Sequence, residues 1–315
     1  MKTKTEELLT RYGFVILFAM ICCLLWGSAF PCIKIGYEWC SAGSNAPSKI
    51  LFAGMRFTLA GIMAVIVCSI ISKKPLIPKS GKTAGHIAIL SIFQTILQYL
   101  FFYIGLSNTS GVKASVIEGA NVFIALIVSC CIFKMEKFTV RKLMGSIIGF
   151  AGVVLINLGG GLDAAFSLTG EGFILISTVA YAFSSVIMKR FSAEDDPMLL
   201  SGWQFIIGGL VMTAAGALTG GTVDISASKG VLMLIYLAFV SAAAYTLWAV
   251  LLKYNPVSRV SVFGFMNPVF GVILSAVLLK EYGAFSLRGA IALILVCAGI
   301  YIVNCKHDET GEHNV

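Results

Sequence analysis

Apolar residues along this chain run on for the thickness of a bilayer, pause at a short polar connector, and resume. The predicted spans cover about 13–36, 49–72, 85–106, 113–134, 140–158, 171–190, 199–219, 230–252, 257–280 and 285–304. None shows the period-two alternation of a barrel strand. In hydrocarbon each segment must satisfy its own backbone N–H and C=O groups, which leaves the helix as the spanning structure. The pattern therefore predicts an all-α polytopic membrane protein with ten transmembrane helices.

Composition supports that reading. Hydrophobic residues make up 58% of the 315 positions and charged residues only 12%, against about 25% in an ordinary soluble protein, so a soluble fold is excluded. Ten spans of about 20 residues leave no room for a water-soluble domain. The apolar run from Tyr12 to Gly36 is too long for a cleaved leader and is kept as the first span. The net charge of +8 sits in short clusters between spans, not on a basic face, so it reads as orientation charge and gives no case for nucleic acid. With the N-terminus inside, clusters such as Lys73-Lys74, Arg141-Lys142 and Lys189-Arg190 are cytoplasmic, whereas Lys49, Lys113, Lys229, Lys280 and Arg288 remain outside. The expected location is the plasma membrane, with both termini cytoplasmic.

An internal repeat sets the architecture. Phe138-Thr-Val-Arg141 recurs as Phe285-Ser-Leu-Arg288, and Ala151 to Asn157 as Ala298 to Asn304, both at an offset of 147 residues. Gly54-Met-Arg56-Phe57 matches Gly202-Trp-Gln204-Phe205, Asn121 matches Asn267, and Trp26 with Lys34 matches Tyr181 with Lys189. The chain reads as two five-helix repeats, residues 1–160 and 161–306, followed by a cytoplasmic tail at 307–315. An odd number of spans per copy inverts the second copy in the membrane, and transporters built this way hold solute near the midplane between the repeats.

Candidate chemistry follows from polar groups inside spans. A charge there costs about 2.5–3.5 kcal/mol on insertion scales, so Arg56 and Glu118 are functional candidates; they also lie at similar predicted depth and could pair. Lys34 and Lys189 end spans and are expected to snorkel. Gln94 and Gln98 share a face of the third span, with Tyr99 and Tyr103 adjacent. Trp26, Ser28, Tyr245, Thr246 and Trp248 offer aromatic walls and hydrogen bonds for a small molecule. Pro31 and Pro268 free the carbonyls of Gly27 and Gly264 and are candidate hinges. Gly145 and Gly149 have close-packing spacing, expected to join helices within one chain. The nine cysteines carry no Cys-x-x-Cys and read as small core residues, and His86, His307 and His313 lie in predicted connectors or the tail. No metal or cofactor is expected. An intramembrane enzyme is disfavoured because no His-Glu-x-x-His is present, and ATP-driven transport because there is no Gly-x-x-x-x-Gly-Lys-Ser/Thr loop.

Trp26-Gly-Ser28 with Lys34, Arg56, Phe102 to Ser110, Tyr245-Thr-Leu-Trp248, Asn267-Pro-Val269 and Lys280-Glu281, in that order, resemble the EamA-type drug/metabolite transporter pattern. The resemblance implies a ten-helix permease that exports small metabolites, often amino acids, through a cavity between the halves. The solute site is then Trp26, Ser28, Gln94, Gln98, Tyr99, Glu118, Asn121, Tyr181, Tyr245, Trp248 and Asn267. It also implies structural roles for Glu136 and Glu281. In the first copy Asn121 is followed by Val122 where the family commonly has proline, which sets the two halves apart in their hinging. The expected partners are a small solute, the lipid bilayer and, for a coupled carrier, protons at Glu118; the chain would act as a monomer or homodimer. An uncoupled facilitator of the same solutes is the alternative.

Overall fold

The computed structural model describes residues 4–40, 45–109, 114, 117–157, 166–278 and 287–304, and among them there is no strand. After a short helix α1 (Lys4–Thr10) come α2 (Tyr12–Trp39) and α3 (Ala46–Ser72). Helix α4 (Gly81–Leu90) continues through a π-helical stretch, Ser91–Leu97, into α5 (Gln98–Ser107). A helical turn at 117–119 precedes α6 (Asn121–Ile127), which runs into a second π-helical stretch, Val128–Ile132, before α7 (Val140–Asn157). A third, Leu168–Gly172, leads into α8 (Phe173–Phe191), followed by α9 (Pro197–Leu218) and α10 (Ser228–Tyr254). The last rods are α11 (Val257–Ser261), joined by a 3-10 turn at Val262–Phe265 to α12 (Met266–Leu278), and α13 (Leu287–Asn304).

Each expected span has a helical counterpart, with ends moved by a few residues. Six helices are long and apolar enough to cross a membrane by length and composition, and Ile117–Ile132 and Gly289–Asn304 are shorter apolar helices. The outer surface is apolar as well: Ile70, Ile71 and Leu232 are among the large side chains left exposed, as lipid-facing positions require. The chain is an all-α polytopic membrane protein. Lys113, Lys280, Glu281, Cys305, Lys306, His307 and His313 lie outside the described residues.

Local chemistry starts the helices where the sequence offers caps. Asn45 accepts a hydrogen bond from Ser48 N at 3.0 Å ahead of α3, and Asp196 accepts one from Met198 N at 2.8 Å ahead of α9. Each has a proline in its first turn, where no N–H is needed.

The most intimate packing is between α3 and α9, and glycines make it possible. A Cβ on Gly54 would stand 2.3 Å from the Thr213 nitrogen, and one on Gly209 2.4 Å from the Thr58 nitrogen. As the α3 partner advances from Leu51 to Val65, the α9 partner recedes from Gly216 to Gly202, so the helices run antiparallel. Gly54 and Gly61 are spaced as Gly202 and Gly209 are, at the offset that relates Phe57 to Phe205. Helices α7 and α13 repeat the device: Gly145 meets Val303 and Gly299, and Gly152 meets Ala292 and Val296, again antiparallel. Gly145 and Gly149 thus pack within the chain, as the sequence suggests. Elsewhere α2 lies against α10 and α12, and α8 lies against α5 and α6, one pairing being the image of the other when the halves are exchanged.

Polar contacts tie the ends of the rods. Asp195 accepts from Thr83 at 2.8 Å and lies 2.6 Å from His86 Nδ1, whose ring stacks on Phe191. Lys82 hydrogen-bonds Glu194 at 2.5 Å, which holds that carboxyl below its usual range. Glu136 accepts from Lys142 at 3.0 Å and from the backbone N–H and hydroxyl of Ser258, capping α11, so its role is structural as expected. Lys189 does not snorkel. Its ammonium donates to the carbonyls of Leu252 and Asn255 at the end of α10, where unbonded carbonyls attract a cation.

Substituting Gly54→Ala is expected to destabilise the detergent-purified protein by about 1–3 kcal/mol, because the added methyl meets backbone. Gly85→Ala, with open space around it, is the control and should leave the melting temperature unchanged or slightly raised. Thermal unfolding of the two variants side by side checks this.

Candidate functional site

Where α2, α3, α5, α8, α9 and α10 converge, aromatic rings from both halves of the chain form one cluster. Trp26 stands edge-on to Tyr245 and to Trp248, with centroids 5.0 Å away in each case. Phe57 stacks on Phe205 at 5.2 Å and 2°, and Phe205 meets Tyr245 edge-on at 4.9 Å. Tyr99 approaches Phe57 to 4.3 Å and shares a 2.5 Å hydrogen bond between hydroxyls with Tyr245, which also bonds Gln98. Aromatic pairs of this kind contribute about 0.5–1.5 kcal/mol each beyond burial, so the walls are rigid. Tyr181 packs against the same cluster.

Polar atoms within this region are left without protein partners. Arg56, Gln94, Gln98 and Asn121 are 4, 4, 7 and 7% exposed. Arg56 Nε and Nη1, Gln94 Oε1, Gln98 Oε1, Asn121 Oδ1, Asn267 Oδ1 and the indole nitrogens of Trp26 and Trp248 make no hydrogen bond. Each such group costs about 1–3 kcal/mol in a closed core, and native interiors keep only a few per hundred residues. Those of Trp26, Arg56 and Trp248 adjoin the rings directly, and polar groups among aromatic walls are the composition of a small-molecule site. Gln94 lies on the π-helical stretch Ser91–Leu97, where neighbouring Thr95 donates to Gln204 at 2.5 Å. Such stretches recur at functional sites.

The two intramembrane charges do not pair. Among the described residues no ion pair joins Arg56 and Glu118, correcting the pairing that similar depth suggested. The Arg56 guanidinium lies over the Phe57 ring at 4.3 Å, while half-buried Glu118 sits in the helical turn before α6, within electrostatic range of Tyr181. Equal depth in sequence says nothing about lateral position, which helix packing decides.

Ser28 is not drawn into the cluster by its hydroxyl, which donates to Leu25 O at 2.7 Å and pairs with Tyr236 at 2.7 Å. Thr246 Oγ1 is buried without a partner. Pro31 lies within an unbroken α2, and a Cβ on Gly27, whose carbonyl it frees, would stand 2.5 Å from Phe270. Pro268 follows the 3-10 turn Val262–Phe265, so the ninth span departs from α geometry at Gly264 as expected. The fourth span is interrupted too, at Ala120, although Val122 replaces the proline. Cys22 and Cys23 donate to the carbonyls of Ala244 and Phe263, small core residues as expected. Phe57, Phe205, Tyr37 and Thr95 belong to or adjoin the site and were not singled out by the sequence. The repeat relation between Phe57 and Phe205 was the available signal.

A polytopic helical bundle with such a site between its halves is the form of a membrane transporter. The chain belongs to the EamA-like transporter family, whose model matches it twice, over residues 13–158 and 168–305. It is 28% identical to an uncharacterized transporter of Archaeoglobus fulgidus, over 91% of this chain and 96% of that one. It is similar also to the uncharacterized transporter YvbV of Bacillus subtilis, 27% identical over 94% of this chain and 92% of the relative. The uncharacterized inner membrane transporter YedA of Escherichia coli is 26% identical over 96% and 95%. A solved crystal structure at 18% identity superposes with a TM-score of 0.73, covering 91% of this chain and 95% of the other, and shows the same fold. The protein is a membrane transporter and not an enzyme.

Tyr99→Phe and Tyr245→Phe should each lower stability by about 0.5–1.5 kcal/mol, and the double variant should lose clearly less than the sum of the two. A double-mutant cycle on unfolding in detergent measures that coupling.

Proposed function

We propose that the protein is an alternating-access secondary transporter that exports a small polar metabolite, an amino acid or a close relative, across the cytoplasmic membrane. In this reading ten helices form two inverted five-helix repeats, 1–160 and 161–306, with both termini and the 307–315 tail in the cytoplasm. The observation that carries it is the cluster of partnerless buried polar atoms walled by rings from both halves. A solute held there touches Trp26, Gln98 and Tyr99 on one side and Tyr181, Tyr245 and Trp248 on the other. Rocking of the halves about the glycine crossings then exposes it to each face of the membrane in turn. The duplicated match to the family model and the antiparallel α3–α9 and α7–α13 pairs support the inverted arrangement. The similarity to YedA, an inner membrane transporter, supports the location.

Glu118 is the proposed coupling group. It carries the acid function next to Asn121 and near Tyr181, and no hydrogen bond or ion pair commits it elsewhere among the described residues. Proteoliposomes loaded with candidate amino acids should show flux that rises with an imposed pH gradient. Glu118→Gln should cut that flux by about tenfold or more, or abolish its pH dependence, with an unchanged melting temperature. Flux indifferent to pH gradients would make the protein a facilitator of the same solutes. For orientation, single cysteines at Lys82 and Thr222 should label from opposite sides of the membrane, Lys82 from the cytoplasm.

A further inference from the structure

We infer that Arg56 is the anchor for a single carboxylate on the transported solute, and that the solute carries an apolar or planar body beside that carboxylate. The inference deepens the transport reading and rests on it for the word transported, though not for binding. Arg56 is 4% exposed, and its Nε and Nη1 have no partner. The Phe57 face lies 4.3 Å from the guanidinium and attracts a cation but supplies no acceptor for those two N–H groups. A buried guanidinium whose donors stay open calls for an anion, and its planar fork matches a carboxylate with two parallel hydrogen bonds.

The helix crossing does not require this charge. The repeat counterpart of Arg56 is Gln204, on the facing helix α9, fully buried and neutral. Both positions flank the same stacked pair, Phe57 and Phe205, so one side of a nearly symmetric joint is charged and the other is not. Packing accepts an amide there, which leaves the charge at Arg56 free for a ligand. The hydroxyls of Tyr99 and Tyr245, hydrogen-bonded to each other beside Phe57, keep one donor hydrogen between them for a bound carboxylate. Among the described residues no ion pair joins an acidic side chain to Arg56, and buried Glu171 accepts from Thr109 and Ser167. One guanidinium balances one negative charge, which favours a monoanionic carboxylate over a phosphate dianion. The flat faces of Phe57, Tyr99 and Trp26 suit an apolar or planar body.

The test is isothermal calorimetry on the full-length protein in detergent with phenylacetate, its neutral isostere phenylacetamide, and inorganic phosphate. The wild type should bind phenylacetate about tenfold to a hundredfold more tightly than phenylacetamide, and phosphate more weakly than the carboxylate. Arg56→Gln, which copies the residue the other repeat already tolerates, should lose that preference while binding phenylacetamide as before. Arg56→Lys should keep part of it. Equal binding of acid and amide by the wild type, no binding of the acid, a preference that survives in Arg56→Gln, or phosphate binding as tight as the carboxylate overturns the inference. Proteoliposome flux of phenylacetate separates the two claims. Charge-selective binding without flux would sink the transport reading and leave the anchor, whereas flux without charge selectivity would sink the anchor alone.

Discussion

Two backbones in van der Waals contact, α3 against α9, set the geometry on which everything else depends. Lipid gives helices no hydrophobic reason to associate, so contact energy must come from close packing, and close packing needs positions without side chains. Gly54, Gly61, Gly202 and Gly209 supply them, each seated on the other helix's backbone or on a side chain close to it. A joint of that kind is stiff along its line of contact and does not slip by a residue, because each glycine would move off its partner. Gly145, Gly152 and Gly299 make a second such joint between α7 and α13.

The remaining helices are arranged around those seams, with larger and more polar residues facing one another. Aromatic rings make up much of the cluster where α2, α5, α8 and α10 meet, beside Leu100 and Ile104. Rings hold their shape with few rotatable bonds, so they can border a region that contains solute in one state and water in another without collapsing. That is a physical reason for Tyr and Trp here, beyond their usual place at membrane interfaces. The polar atoms they surround would be a defect in a soluble core. In a carrier they are the part of the protein that waits for something else.

Apolar spans and the repeat were legible because they depend on features that hydrophobicity and spacing record directly. The offset between Gly54-Met-Arg56-Phe57 and Gly202-Trp-Gln204-Phe205 located not only a duplication but the seam where the copies touch. Lateral neighbours were harder. Arg56 and Glu118 share a predicted depth, yet Arg56 rests on Phe57 and no ion pair joins the two among the described residues, since depth follows from counting residues and azimuth follows from packing. Lys189 at a span end suggests snorkelling, but the buried helix-end carbonyls of Leu252 and Asn255 are a nearer partner than the headgroups. Ser28 shared a motif with Trp26 and points to Tyr236 instead, because residues two apart on a helix face different ways.

Helical geometry is interrupted ahead of both Asn121 and Asn267, by a turn at Ala120 in one case and by the 3-10 turn Val262–Phe265 in the other. Pro268 has no hydrogen on its nitrogen, so the bond to the Gly264 carbonyl can never form. Val122 keeps its N–H. The corresponding bond in the first half, from Val122 to the carbonyl of Glu118, is therefore chemically available. Two halves built on one repeat thus differ in a backbone bond that only the first is able to make.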